Sequence, residues 1–499
     1  METLVNILQF IEKSTTKESI RTKLLDESDD LERRLYSLVV SGEVDSDIAA
    51  STVLYGGYFD DSRYRTLKYR MLDKAVSALQ SYNPKSTHSS RLSVSYFKAL
   101  RYYVCSSVLA KNAVVSGAQY FAQRCAALSR EHSFTELEFQ SLRILLNYSS
   151  IAREGGSVKS ISERLRELQR VMSFELESDL VLSSLPIDSF NIDDKLRDRL
   201  AFYETSLFTP VEDSDSYQTL IAKYRFGVYL AEIRRDPSRM LEISNLALDY
   251  YREHPEFSNP SRIGEFVVSK AFALIVLGHH SESLETAQLA TTLFVPGGYN
   301  WFLAHEMLFV VYMLTADFSN AFDLYARLTS STYFASLFEY QKQIWRLFHS
   351  YLYLLHQLDI HSDASFTDKP FRYAHFTNSV YLIAKEKQNQ NFMIHVFGLC
   401  YSTVHGLYDD VSSRLEHLRV YQHRYIRHSS FARDQLVIRA FTALANCSFD
   451  VPKFRKQYRR LLDELAMPVT VGTPISMNEL IPYNVLFDRL LAIIEERGY

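Results

Sequence analysis

Glycine and proline are scarce in this sequence, which has 15 glycines and 12 prolines among its 499 residues. An all-β fold depends on these residues for its many tight turns, so their scarcity disfavours such a fold. Leucine, alanine, arginine, glutamate and serine recur throughout instead, a composition that favours long helices joined by short connections. The sequence therefore predicts an all-α protein.

Cysteine is also scarce, and its four copies stand alone in the sequence. No Cys-x-x-Cys pair occurs, and the spacing lacks the density of a disulfide framework. We expect these side chains to be small buried hydrophobic groups of a reducing compartment. They are Cys105, Cys125, Cys400 and Cys447.

Neither a secretion signal nor an apolar run of membrane length is present. Glu2 stands where a signal peptide would carry Lys or Arg, and no small-residue cleavage pattern follows. The most apolar windows, 271–278 and 307–314, are far shorter than the roughly 20 residues of a membrane-spanning helix. His305 and Glu306 also interrupt the approach to the second window. We expect a cytoplasmic protein without a membrane span.

Motifs for catalysis and for metal binding are missing as well. The fifteen histidines include no His-x-x-x-His pair with an adjoining ligand set. The pairs Gly155-Gly156 and Gly297-Gly298 lack the Lys and Ser or Thr of a phosphate-binding loop. The sequence thus predicts no enzyme activity, no metal and no cofactor. The formal net charge of −4 argues against nucleic-acid binding by the molecule as a whole.

What the sequence does contain is a degenerate helical repeat. Three segments carry residues at matching offsets, most of them small, and the segments start 43 and 38 positions apart. A period of roughly 35–45 residues is typical of stacked helix pairs, because a single pair cannot bury its apolar face alone. The segments are Met240-Ser244-Ala247, Ser283-Ala287-Ala290 and Ala321-Tyr325-Leu328.

The turn near Ala316 resembles that of a tetratricopeptide repeat. In that family a small residue ends the first helix of a pair, and a small residue, an aromatic residue and another small residue follow on the second. Ala316, Ala321 and Tyr325 fit this pattern, and Leu328 takes the last small position. The resemblance covers 217–328 and extends to 90–172.

A second turn fits the same pattern through Gly278, Ser283 and Ala290, with Ala287 in place of the aromatic residue. The sequence departs from the family in helix length, and it lacks the Trp-Leu-Gly signature and a regularly placed terminal proline. The resemblance therefore implies an irregular, tetratricopeptide-like helix-pair solenoid.

Helical spacing and turn residues predict the individual helices of this array. Four helices are expected early in the chain, at 92–113, 117–130, 134–153 and 158–172. Three helix pairs are expected later, at 217–234 with 238–254, 262–277 with 281–293 and 301–315 with 319–328. A final helix over 477–497, interrupted or begun anew at Pro482, is expected to close the array.

Polar and irregular stretches divide the chain into four predicted parts. An N-terminal unit of short helices covers 1–85, with expected N-caps at Thr15 or Thr16, Ser28 and Ser46. The first helical-repeat segment covers 90–208, and the tetratricopeptide-like repeats cover 213–358. The last part, 370–499, carries a basic region and the terminal helix.

The basic region is the strongest anomaly of composition. It holds eleven Lys or Arg residues between Arg414 and Arg460, against three acidic ones. Two of its helices are predicted to turn basic faces outward, which would suit an acidic peptide or a phosphate backbone. The alternative is that these cations lie on solvated helix faces and pair with acids elsewhere in the fold. The candidate partner-binding residues are Arg414, Arg424, Arg427, Lys456, Arg459 and Arg460.

A second cationic cluster follows the break at Gly56-Gly57. A helix, a glycine-containing turn and a basic helix loosely resemble a helix-turn-helix, although the turn at 56–61 is longer than usual. The alternative is an adaptor or capping helix pair. The candidate nucleic-acid contacts are Arg63, Arg65, Lys68 and Arg70.

Two hypotheses of function follow. The first is a scaffold or adaptor without catalytic activity, whose inner surface binds a protein or peptide along the first helices of successive pairs. The second is a regulator whose N-terminal helices contact DNA and whose repeat array senses a peptide or protein. The first is favoured, because the repeat is accompanied by no catalytic constellation.

Overall fold

The computed structural model confirms the all-α fold. No strand occurs in the part of the chain that the structure describes. That part comprises 1–13, 17–26, 28–56, 61–80, 82, 84, 91–188, 198, 200–202, 204–205, 217–234, 236–361, 371–380, 390–425, 432–466 and 478–497.

The chain forms two compact units, Met1–Met172 and Ser173–Tyr499. The finer division into four parts stays a prediction. The helices up to the long one that spans the division are α1 Glu2–Lys13, α2 Lys17–Asp26, α3 Asp30–Val40, α4 Asp47–Tyr55, α5 Ser62–Leu79, α6 Arg91–Lys111, α7 Val115–Glu131, α8 Thr135–Ile151 and α9 Gly155–Asp188.

The second unit continues with a further series of helices. The pairs of the predicted repeat are α10 Tyr217–Arg234 with α11 Pro237–Glu253, α12 Pro260–Val276 with α13 His280–Leu293, and α14 Tyr299–Leu314 with α15 Phe318–Thr329. The remaining helices are α16 Glu339–Gln357, α17 Tyr373–Ser379, α18 Gln390–Val404, α19 Tyr408–Tyr425, α20 Ala432–Asn446, α21 Val451–Gln457, α22 Arg459–Ala466 and α23 Tyr483–Glu496.

The ends of all six repeat helices were predicted to within two residues. The predicted end at residue 172, by contrast, is wrong, because α9 runs on to Asp188. No glycine or proline stands between Gly156 and Pro186, so nothing in the local sequence stops this helix earlier. The predicted terminal helix is confirmed from Pro482 onward, and it buries Leu486 and Leu490.

One short turn closes many of the helices. The residue after the helix end adopts a left-handed conformation, and the next backbone N–H donates to a carbonyl five residues earlier. Gly278 has φ +82° and Ala316 has φ +58° in such turns. The N–H of His279 donates to the Leu274 carbonyl at 2.9 Å in the first of them. A left-handed backbone favours glycine, which has no Cβ, and this explains Gly278. Ala316 adopts the same conformation although it carries a Cβ.

The small residues of the repeat lie where the helices of a pair meet. Ser283 and Ala287 are wholly buried, and the Ser283 hydroxyl donates to the Ala271 carbonyl of α12 at 2.8 Å. At Gly264 of α12, an added Cβ would lie 2.4 Å from the Phe294 ring. The helices of this pair therefore approach too closely for larger side chains, which is the packing that the repeat pattern predicted.

The first five helices share a core of their own around Leu35, Leu67 and Met71. Ser46 caps α4 as predicted. The predicted cap at Ser28 is wrong, because the cap of α3 is the next residue, Asp29. Its carboxylate accepts from the Glu32 N–H at 2.9 Å, and the Glu32 carboxylate accepts from the Asp29 N–H at 2.8 Å. The other predicted caps, Thr15 and Thr16, lie outside the described residues.

Candidate functional site

Two of the predicted nucleic-acid contacts form ion pairs inside the N-terminal helices. The Lys68 Nζ atom lies 2.9 Å from Asp47 Oδ1. The Arg70 Nη2 atom lies 3.1 Å from Asp29 Oδ2, and its Nε atom lies 3.5 Å from the buried Glu32 carboxylate. These cations therefore fasten α5 to the starts of α3 and α4.

The other two residues of this cluster, Arg63 and Arg65, are exposed. The Arg63 guanidinium pairs with Asp61 at 2.6 Å and lies over the Tyr55 ring, with 4.9 Å to the ring centroid. A DNA phosphate would have to compete with the Asp61 carboxylate for Arg63. DNA contact at α5 stays a prediction, and the ion pairs weaken its basis.

Arg414, the first residue of the predicted basic stripe, is bound within its own fold. Its Nε atom lies 2.6 Å from Asp410 Oδ2, and its Nη1 atom donates to the Tyr373 hydroxyl at 2.7 Å. The guanidinium also lies over the Tyr373 ring at 4.7 Å from the centroid. An external partner would have to displace these contacts before it could use Arg414.

Lys456, Arg459 and Arg460 are exposed on α21 and α22. None of the three has a hydrogen-bond or ion-pair partner among the described residues. Phe454 and Leu461 are buried on the opposite side, as the helical pattern predicts. The Arg424 side chain and the whole of Arg427 lie outside the described residues, so the predicted stripe on α19 stays a prediction.

Arg460 also lines an open groove between α19, α20 and α22, with a volume of about 580 Å³. The floor of this groove is apolar, with Ile438 and Leu461 buried beneath it. We call it the basic groove. Its polar lining includes Arg419, Gln422, Arg439, Asn446, Gln457 and Arg460.

A second surface, which the sequence did not single out, lies on the first helices of the three pairs. Each of these helices carries a stripe of exposed or half-buried side chains at helical spacing along one line of its surface. The Arg225 Nε atom lies 3.2 Å from Glu265 Oε2, which joins the stripes of α10 and α12. The stripes are Arg225, Tyr229 and Glu232 on α10, Glu265, Ser269 and Phe272 on α12, and Tyr299, Leu303 and Glu306 on α14.

We call the three carboxylates of these stripes, Glu232, Glu265 and Glu306, the acidic row. Their electrostatic effects connect them through two tyrosines, because Glu232 and Glu265 act on Tyr229 and Glu306 acts on Tyr299. Burial first, and then the charges of Glu232 and Glu265, raise the pKa of the Tyr229 hydroxyl to about 12, and Arg225 opposes this rise. Tyr229 is also within electrostatic reach of Tyr299 on α14, so the stripes of all three helices lie close together.

Two members of the acidic row, Glu232 and Glu306, have no cation beside them among the residues that the structure describes. Solvent reaches the Glu232 side chain, yet the surrounding protein atoms desolvate its carboxyl group and raise its pKa. Glu232 has no hydrogen-bond or ion-pair partner in the described part of the chain. Only Glu265 is neutralised, by Arg225. Isolated carboxylates in such surroundings are uncommon, because desolvation disfavours their charged form.

Glu306 is the more extreme of the two. Burial raises the pKa of its carboxyl group to about 8, although the nearby Trp345 indole lowers it somewhat. The Glu306 Oε1 atom is shielded from solvent and has no hydrogen-bond partner, and the same holds for Nε1 of the fully buried Trp345. The buried acceptor and the buried donor lie near each other, but the contact between them falls short of the geometry of a full hydrogen bond. Buried polar groups that are not fully satisfied are a feature of binding sites.

The sequence carried one signal for this site. Glu306 is the single acidic residue in the otherwise apolar helix α14, and it interrupts an apolar window. Its neighbour in space, Trp345, lies 39 positions further along the chain, so the sequence pattern alone did not bring the two together. For the same reason Glu232 was indistinguishable from an ordinary surface glutamate.

Several classes of site are absent from the residues that the structure describes. No three His, Cys, Asp or Glu side chains cluster there in a way that could hold a metal ion. None of the helices in the described ranges is both long enough and apolar enough to span a membrane.

No protein-family model matches this chain, and no curated protein or solved structure matches it either. The resemblance to tetratricopeptide repeats therefore stays a prediction from the residues at the helix turns.

Proposed function

We propose that this protein is a helical-repeat scaffold that binds a cationic segment of a partner protein along the acidic row. The observation that carries this proposal is the pair of carboxylates, Glu232 and Glu306, that face the exposed stripes of α10 and α14 without a cation of their own. Helix arrays present extended surfaces built from successive repeats, so a peptide segment is the natural occupant.

The charge of the partner follows from the electrostatics of the row. A lysine or arginine side chain placed beside Glu306 would supply the opposite charge that the fold does not provide, and it would favour the ionised carboxylate. Arg225 already plays this part for Glu265, which shows that the surface accommodates a guanidinium. An acidic segment gains nothing from this surface, because its carboxylates would meet the like charge of Glu232 and would keep Glu306 protonated.

The two tyrosines of the row add a second kind of contact. Tyr299 is exposed and Tyr229 is half-buried, and both lie close to the carboxylates. Tyrosine rings offer large contact areas at a small entropic cost, and their faces attract cations. The stripes of α10 and α14 thus combine charge with aromatic surface, as peptide-binding sites do.

The experiment is a binding titration with two fluorescent peptides of equal length, one rich in arginine and one rich in glutamate. The wild-type protein should bind the arginine peptide and not the glutamate peptide. The variant Glu232→Gln/Glu306→Gln should bind the arginine peptide roughly tenfold more weakly or worse.

The matched control is Glu253→Gln/Glu285→Gln, which makes the same change of charge on the exposed glutamates of α11 and α13. This control should bind like the wild type. Equal losses in both variants, or no binding of the arginine peptide by the wild type, would overturn the proposal.

Proton release provides an independent readout at Glu306. At about pH 7 this carboxyl group, with a pKa of about 8, holds its proton in the free protein. Pairing with a cation should ionise it, so binding should release up to about one proton. Calorimetric titrations in buffers of different ionisation enthalpy measure this number, and Glu306→Gln should abolish the release.

The DNA-contacting regulator remains the alternative, and its test is separate. Salt-dependent binding of double-stranded DNA that is lost in Arg63→Ser/Arg65→Ser would support it. These two side chains are exposed on α5 and lie on another unit of the molecule than the acidic row.

A further inference from the structure

The second surface with unsatisfied charge is the basic groove, and its sign is opposite to that of the acidic row. Arg419 of α19 and Arg460 of α22 line it, and neither has a hydrogen-bond or ion-pair partner among the described residues. The third arginine, Arg439 of α20, has one long contact of 3.4 Å with Glu464. Three helices thus direct guanidinium groups to one open cavity.

The rest of the lining suits a small anionic group. Gln422, Asn446 and Gln457 place side-chain amides around the same cavity. The Gln457 Oε1 atom accepts a weak hydrogen bond from the Cys447 thiol at 3.6 Å. That contact directs the acceptor atom of the amide to Cys447 and leaves its N–H donors for a ligand. Guanidinium and amide donors together match the oxygens of a carboxylate or a phosphate.

We propose that the basic groove binds an anionic side chain, carboxylate or phosphate, of a short acidic peptide segment. Charge complementarity identifies this occupant. The groove has an apolar floor at Ile438 and Leu461, which can take the carbon atoms of a peptide.

A continuous polyanion fits less well than a short peptide. Glu464 stands in the lining, where it would meet the regularly spaced phosphates of a nucleic acid. Its pairing with Arg439 leaves Arg419 and Arg460 as the arginines of the lining that an anionic group can bind without displacing Glu464. This site is independent of the proposed function, because it uses none of the residues of the acidic row.

The test compares four probes on the intact protein: a glutamate-rich peptide, a phosphoserine peptide, inorganic phosphate and a short DNA duplex. The site is supported when one of the two peptides binds with a preference over the duplex. The relative affinities of the phosphoserine peptide and the glutamate-rich peptide show whether the groove binds phosphate or carboxylate. Inorganic phosphate should compete with whichever peptide binds. Tighter binding of the duplex than of both peptides would overturn the proposal.

The decisive variant is Arg419→Ser/Arg460→Ser, which should weaken peptide binding roughly tenfold or more. Its control is Lys453→Ser/Arg459→Ser, which removes two exposed and unpaired cations that do not line the groove. The control should change the dissociation constant by no more than about twofold. Equal losses in the two variants would show unspecific attraction and would contradict the site.

A third variant should act in the opposite direction. Glu464→Gln removes the one carboxylate from the lining and frees Arg439, so it should tighten peptide binding several-fold. Weaker binding or no change in this variant would count against the groove as the site. Because all of these side chains are exposed, thermal unfolding should be nearly unchanged, and this measurement checks that each variant is folded.

Discussion

The acidic row and the basic groove both hold charges without partners, but the two sets of charges lie in different surroundings. The arginines of the basic groove are exposed, so water solvates them and their charge costs little. Glu306 of the acidic row is half-buried with a shielded carboxyl oxygen, and its pKa rises to about 8 in response. An unpaired charge therefore affects stability only where the fold also removes water from it.

A third region, around Arg433 and Glu479, contains buried charges that form an ion pair with each other. The Arg433 guanidinium and the Glu479 carboxylate are both buried, and they are joined at 2.6 Å and 3.0 Å by two parallel hydrogen bonds. Glu479 also accepts from the Tyr483 backbone N–H at 2.7 Å, which fixes the start of α23. The ion pair compensates for the desolvation of the Arg433 and Glu479 charges, whereas no cation compensates for the desolvation of Glu306 among the described residues.

The largest effect is expected where this pairing is broken. Arg433→Ala leaves the Glu479 carboxylate buried and unpaired, so we expect the free energy of unfolding to fall by about 3–5 kcal/mol. Chemical denaturation at neutral pH measures this change. The exposed Arg459→Ala is the control and should lose less than about 1 kcal/mol. A similar small loss in both variants would mean that burial does not decide the cost of these charges.

The next largest change in the free energy of unfolding should come from Glu306, where a substitution should stabilise the protein. Its folded pKa of about 8 lies above the unfolded value of about 4.3, so the folded protein holds a proton that the unfolded chain releases. This contribution to stability is fully present below about pH 4 and is lost as the pH rises to about 8. Glu306→Gln removes the ionisation.

We therefore expect the free energy of unfolding of Glu306→Gln to match that of the wild type at about pH 4 and to exceed it by a few kcal/mol above about pH 8. Thermal unfolding across this pH range measures the difference. The variant Glu285→Gln, which changes an exposed glutamate on α13, should follow the wild type at every pH. A constant difference for Glu306→Gln at all pH values would exclude ionisation as its cause.

A smaller loss of stability is expected from a backbone substitution that should affect binding at the acidic row but not at the basic groove. Gly264→Ala adds a methyl group that must push the Phe294 ring away and shift α12 against α13, which should cost about 1–3 kcal/mol. The shift moves the Glu265 stripe, so binding of the arginine-rich peptide should weaken. Binding at the basic groove should stay unchanged, and an equal loss at both surfaces would show that the variant is only globally destabilised.

The smallest effect on stability is expected in the basic region. The fourfold variant Arg424→Ser/Arg427→Ser/Lys456→Ser/Arg459→Ser should leave the melting temperature almost unmoved. Lys456 and Arg459 are exposed, and the basic stripe predicted from the sequence places Arg424 and Arg427 on an outward face. Exposed charges contribute only about 0–1 kcal/mol each. Affinity for an anionic partner should fall, and it should fall most at low salt. A large loss of stability with unchanged affinity would identify these cations as intramolecular ion-pair partners.

Most of the helices could be predicted from the sequence. The starts of α4 and α12, for example, follow from the capping side chains Ser46 and Asn259, which bond to backbone groups within three residues. The turn at Gly278 is equally local, because the left-handed conformation depends on that residue alone. The wrong prediction of an N-cap at Ser28 also concerns neighbouring residues, because Asp29 and Glu32 form the capping box that starts α3.

The candidate sites were predicted much less completely. Exposure of Lys456, Arg459 and Arg460 followed from helical spacing, because Phe454 and Leu461 had to turn inward. Helical spacing did not predict that Lys68 and Arg414 would be bound by other side chains of the same protein. Lys68 pairs with Asp47, which is 21 residues away, and Arg414 bonds to Tyr373, which is 41 residues away.

The sequence by itself thus determined the all-α class and most of the helix ends, since these depend on residues within one or two helical turns of each other. It also marked the small residues of the repeat, whose contacts join helices that follow each other in the chain. Only the tertiary structure decided which charges are neutralised, which are solvated and which are left alone with little water. The energy of a charge depends on every group within several ångströms, and folding brings those groups together from distant parts of the chain. Glu306 of the acidic row and the buried Trp345 are such a pair.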